Sequence, residues 1–105
     1  MLIAFSVAPS GTGDSVSEAV AEAVRVVRES GLPNHTDAMF TTLEGEWDEC
    51  LDVVRRACEA VGRHGERVSL VLKADIRPGR TGELQGKVER LEAALERTAG
   101  ESSRG

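Results

Sequence analysis

The sequence lacks any apolar run of the roughly 18 residues a membrane span needs. Its first residues, Met1-Leu2-Ile3-Ala4-Phe5-Ser6, lack the basic flank and length of a signal peptide. A soluble cytoplasmic protein with no membrane partner is therefore expected. Basic residues are in deficit as well, 13 Lys and Arg against 18 Asp and Glu, for a net charge of −5. Nucleic-acid affinity rests on cations that neutralise phosphates, so no nucleic-acid partner is expected. Aromatics are few, with no Tyr, two Phe and one Trp, yet 40% hydrophobic residues suffice for a buried core. A chain of 105 residues corresponds to one domain, expected over residues 1–98, with a disordered tail at 99–105.

Two cysteines offer little chemistry. Cys50 and Cys58 fall in one helical segment, about 12 Å apart along its axis at 1.5 Å per residue, too far for a disulfide. They read as buried structural thiols. His35 and His64 lie on separate elements, and no H-x-x-x-H or C-x-x-C spacing exists, so no metal is expected. No serine sits in a nucleophile elbow and no Cys–His pair is evident. Glu44, Glu46, Asp48 and Glu49 cluster, but acids gather at a helix N-terminus for the dipole alone. An enzyme is not expected, and no cofactor or catalytic residue is assigned.

What is present is a clear alternation of periods. Residues 2–8 set Ile3, Phe5 and Val7 against Ala4, Ser6 and Ala8, a strand with one buried face. After a loop, Ser15 and Glu18 form a capping box, and Val16, Ala19, Val20, Ala23, Val24 and Val27 repeat at helical spacing until Gly31 and Pro33. Residues 34–45 read as two short strands reversing near Met39-Phe40. A second helix spans about 47–64 on a stripe of Trp47, Cys50, Leu51, Val54, Cys58 and Val61. A fourth strand alternates Val68, Leu70, Leu72, Ala74 and Ile76 with Ser69, Val71, Lys73, Asp75 and Arg77. A last helix, about 83–97, carries Leu84, Val88, Leu91 and Leu95 in a narrow stripe suited to one neighbouring element.

The order β-α-β-β-α-β plus a helix is that of the ferredoxin-like α+β fold: a four-stranded antiparallel sheet, two helices on one face and an extra C-terminal helix. The opposite face stays open. By strand parity it carries Ser6, Ala8, Thr42, Glu44, Lys73, Asp75 and Arg77, beside Ala4 and Val71. Such a mixed-charge cluster is either an ion-pair network or a polar ligand site, and covering the face favours self-association. Gly11-Thr12-Gly13 lies between strand and helix, where backbone N–H groups can hold an anion, though a G-x-G turn is often only a turn. Without a Walker Lys or a full G-x-G-x-x-G, a nucleotide fold is unsupported. Trp47 is either a core anchor or a ring placed to stack on a flat or cationic ligand.

Three stretches in order carry a resemblance: Val7-Ala8-Pro9-Ser10-Gly11-Thr12-Gly13-Asp14-Ser15-Val16-Ser17, Thr41-Thr42-Leu43-Glu44-Gly45-Glu46-Trp47-Asp48-Glu49 and Lys73-Ala74-Asp75-Ile76-Arg77. Over about residues 1–95 the chain resembles the small single-repeat thiamine-binding protein family, related to tandem-repeat proteins that bind thiamine and hydroxymethylpyrimidine. The resemblance implies ferredoxin-like subunits that assemble into dimers and tetramers, a homotetramer among them, through their sheets. It also implies binding of thiamine or its pyrimidine half in vitamin salvage, without turnover. Two positions depart from the pattern: Phe40 replaces a small residue before the Thr pair, and Ser10 replaces an aliphatic. In such a site Glu44 or Asp75 would accept the ligand's exocyclic amine, Ser6, Thr12 or Thr42 would donate to its ring nitrogens, and Trp47 would stack. Gly11, Gly13 and Lys73 complete the expected set. The rival expectation is a structural or regulatory assembly module whose polar face is only an interface; a small enzyme ranks below both.

Overall fold

Strand β1, Leu2–Ser10, buries Ile3, Phe5, Val7 and Pro9 and turns the residues between them to the other side, as its period of two requires. The computed structural model describes residues 1–10, 16–79 and 81–102. Helix α1, Val16–Glu29, buries Ala19, Ala23 and Val27. It ends before Gly31, whose φ of +80° is the left-handed stop that glycine adopts without a Cβ penalty. The capping box expected at Ser15 and Glu18 involves a residue outside the described ones. Strands β2, Asn34–Thr36, and β3, Thr41–Glu44, flank the reversal at residues 37–40. Helix α2, Trp47–Gly62, is followed by β4, Arg67–Asp75, and α3, Glu83–Ser102.

The sheet is antiparallel in the order β2-β3-β1-β4, with α1 and α2 packed together on one face. The expected ferredoxin-like arrangement is therefore present, with β1 central and α3 as the additional helix. The core joins Ile3, Phe5 and Leu43 of the sheet to Val27 of α1 and Val54 and Val61 of α2. Gly45 lets β3 pass into α2 at close range: a Cβ there would stand 3.2 Å from the Cys50 Sγ and 3.3 Å from the Leu32 side chain.

Several elements differ from the sequence expectation. The buried stripe of α2 consists of Cys50, Val53, Val54, Ala57, Ala60 and Val61, while Trp47 and Leu51 are exposed. Alanines carry little hydrophobic weight in a sequence, but their size lets α2 approach α1 and the sheet. Ile76 and Arg77 lie past the end of β4 rather than on the sheet. Leu70 and Leu72 take the helix-side parity of the edge strand yet remain 43% and 39% exposed. Helix α3 continues to Ser102, so residues 99–102 of the expected tail are helical and 103–105 lie outside the described residues. Its stripe does not find a neighbour within the described chain: Leu84 is half-buried, but Val88, Leu91 and Leu95 are exposed.

Candidate ligand cleft and the α3 anchor

Register settles the parity of the open face. Leu2 pairs with both Glu44 and Asp75, Ala4 with both Thr42 and Lys73, and Ser6 with Val71. Directly paired residues in an antiparallel sheet share a face. Ser6, Thr42, Glu44, Lys73 and Asp75 thus project to the side away from α1 and α2, in successive rows.

The rows do not form one pocket. The carboxylate of Glu44 accepts the backbone N–H of Glu83 at 2.8 Å and that of Leu84 at 3.4 Å. Asp75 forms an ion pair with Lys87, and Arg90 pairs with the Glu83 carboxylate at 2.8 Å. Two acids expected to receive a ligand amine therefore hold the first turns of α3, with Glu44 only 7% exposed. The arrangement follows from helix chemistry: the first N–H groups of a helix have no partner within it and donate readily to a carboxylate. Thr42 and Lys73 stand in the middle row, on either side of Ala4. Trp47, 51% exposed at the start of α2, lines a separate groove with Met1, Arg77 and Pro78. Gly11, Thr12 and Gly13 lie outside the described residues.

Ser6 lies elsewhere, four residues along β1 from Leu2, about 13 Å at the usual strand rise. Pairing of β1 with β3 stops at Phe5↔Thr41, while pairing with β4 continues to Ser10↔Arg67. Beyond Phe5 the strand therefore has a described neighbour on one side only. The released edge, Phe5–Ala8, faces the 37–40 reversal across a cleft of about 210 Å³, with Val20, Ala23 and Val24 of α1 as its apolar wall. A central strand that loses its neighbour exposes backbone N–H and C=O groups able to pair with a flat polar ligand.

The far wall is a tightly bonded turn. Asp37 donates its N–H to the Phe40 carbonyl at 3.0 Å. Its Oδ1 accepts the N–H groups of Met39 and Phe40 at 2.8 and 2.9 Å. These bonds, that to Phe40 first, hold the Asp37 carboxyl below its ordinary value of 3.8, so it is anionic at neutral pH. Its Oδ2 has no donor among the described residues. Beside it the hydroxyls of Thr36 and Thr41 share a hydrogen bond of 3.1 Å. The cleft thus joins an anionic acceptor, hydroxyls, a strand edge and an aromatic ring. Sequence reasoning placed the reversal and noted Phe40 but missed Asp37; an Asp three residues before Phe40 in a reversal is the Asx-turn signal that finds it.

Burial pushes both thiols up, with nearby carboxylates adding to it at Cys50 and Glu59 at Cys58, which disfavours the thiolate. No group of metal-ligating side chains occurs among the described residues. No described helix is long and apolar enough to cross a membrane.

Together, fold and cleft define a ferredoxin-like domain with a small polar recess at the released edge of its central strand. The thiamine-binding protein family matches residues 3–92, and the chain belongs to that family. It is 55% identical over 96 residues to a UPF0045 protein of Mycobacterium bovis, covering 90% of this chain and 94% of the relative. A solved protein from Methanocaldococcus jannaschii shares 33% identity at a TM-score of 0.78, covering 87% of this chain and 94% of that one. A candidate thiamine biosynthesis or salvage protein of Thermotoga maritima, at 24% identity and a TM-score of 0.69, covers 80% of this chain and 91% of that one and shares the fold.

Proposed function

We propose that this chain is a non-catalytic binding protein for thiamine or its hydroxymethylpyrimidine half, acting in the cytoplasm in vitamin sequestration, delivery or sensing. The observation that carries the reading is the meeting, in one recess, of the released β1 edge with the anionic Asp37 and the paired Thr36 and Thr41 hydroxyls. An aminopyrimidine presents an exocyclic amine, matched by a carboxylate, and ring nitrogens, matched by hydroxyl or backbone N–H donors. A site that pairs those groups rejects analogues lacking them, because its own polar groups are then left unpaired. Membership of the family supports the ligand class.

Titration calorimetry with hydroxymethylpyrimidine and thiamine tests the proposal. Saturable heat for at least one of them is expected, with a matching rise in Tm. Absence of both heat and thermal shift at millimolar ligand overturns it.

Self-association belongs to the same reading. Val71 on the open face and Val88, Leu91 and Leu95 on α3 are exposed, and α3 is rooted on that face through Glu44 and Asp75. A second copy packing there removes this apolar surface from water. Light scattering is expected to show a dimer or tetramer at micromolar concentration, and Leu91→Glu to shift it toward monomer. The same surface favours the second reading, an assembly module without a small ligand, which a negative calorimetry result combined with a stable oligomer would support.

A further inference from the structure

The recess is small for its family ligand. About 210 Å³ falls below the roughly 300–1,000 Å³ that pockets for drug-sized molecules offer. It accommodates one ring with its substituents more readily than two linked rings. On the turn side it is lined by Ala38, Met39 and Phe40, of which Phe40 is the least exposed. Residues 37–40 are pinned by three hydrogen bonds between Asp37 and the Met39 and Phe40 backbones. The next residue, Thr41, is buried, paired with Phe5 and bonded to Thr36. The Phe40 backbone is thus held from both sides in sequence, and its half-buried side chain lines the recess. Met39 beside it is 73% exposed.

We propose that Phe40 is the specificity-determining residue of the recess, limiting it to a single aminopyrimidine ring and denying enclosure to a second ring joined to it. The inference rests on the binding function proposed above and deepens it. In the intact protein the pyrimidine lies between the β1 edge and Phe40, its amine toward Asp37. The thiazolium of thiamine stays in solvent, where it adds no burial, or must displace the Phe40 ring from the recess. The free pyrimidine therefore binds at least as tightly as the whole vitamin. Removing the Phe40 ring opens volume for the second ring while withdrawing the aromatic face from the first.

The test is paired calorimetry of hydroxymethylpyrimidine and thiamine with the wild-type chain, Phe40→Ala, Phe40→Leu and Met39→Ala. Wild type is expected to bind thiamine no more tightly than the pyrimidine. Phe40→Ala shifts the ratio of the two affinities toward thiamine by tenfold or more, with pyrimidine affinity falling about 2- to 10-fold for the lost aromatic contact. Phe40→Leu moves the ratio in the same direction by a smaller factor and keeps the inference testable if the alanine variant does not fold. Met39→Ala leaves the ratio within twofold. Thiamine binding wild type tenfold tighter than the pyrimidine, or a ratio unmoved in both Phe40 variants, overturns the wall while leaving the binding function standing. Binding of neither ligand to wild type removes both.

Discussion

The carboxylate of Glu44 caps the backbone N–H of Glu83, 39 residues away in sequence, at 2.8 Å. This contact and the Asp75–Lys87 pair convert the acids of one sheet corner into the root of α3. Replacing Glu44 by Ala leaves the α3 N-terminus without its acceptor and is expected to cost about 1–2 kcal/mol, the usual range for a lost helix cap. Hydrogen exchange at residues 83–88 should accelerate in that variant. Pyrimidine affinity should change by less than about twofold, since the recess lies further along β1.

The Asp75–Lys87 pair is a weaker anchor. Its side chains are 37% and 41% exposed, so solvent screens much of the attraction. A double-mutant cycle with Asp75→Asn and Lys87→Met is expected to give a coupling below about 1 kcal/mol, falling as salt is raised. A coupling above about 2 kcal/mol that is indifferent to salt would contradict this assignment.

Asp37 makes the stability of the turn pH-dependent. Its carboxyl is held below 3.8 by the Phe40 and Met39 N–H groups, so the unfolded chain takes up the proton first as pH falls. The stabilisation is complete above pH 3.8 and is lost as pH drops through the lower folded-state value. Asp37→Asn removes this linkage. Urea unfolding should therefore show a wild-type advantage at pH 6 that disappears in acid, and a constant difference across that window would refute the mechanism.

Thr36 and Thr41 test the side of the recess nearest the core. Their hydroxyls bond to each other at 3.1 Å, and Thr41 is buried. Thr41→Val strands the Thr36 hydroxyl and should destabilise the chain by about 1 kcal/mol. Adding Thr36→Val should restore part of that loss, because replacing both partners leaves nothing unpaired. A double variant less stable than either single one would show that the hydroxyls have other partners.

Much of the architecture could be read from the sequence because it rests on local periodicity. Alternation in β1 and β4, the reversal before Thr41 and the glycine stop after α1 each depend on neighbouring residues and on chirality, so the ferredoxin-like order and the shared face of Ser6, Thr42, Glu44, Lys73 and Asp75 followed from residue types alone. Which of those side chains were free was decided only in three dimensions. Glu44 and Asp75 look like ligand acceptors until α3 folds back and claims them, a choice made by contacts spanning 39 residues for Glu44 and by the position of α3 relative to the sheet. The recess likewise depends on where β3 stops against β1 and on the bonds that fix the 37–40 turn. Parity is a property of each strand by itself, whereas occupancy of a face belongs to whatever element packs on it.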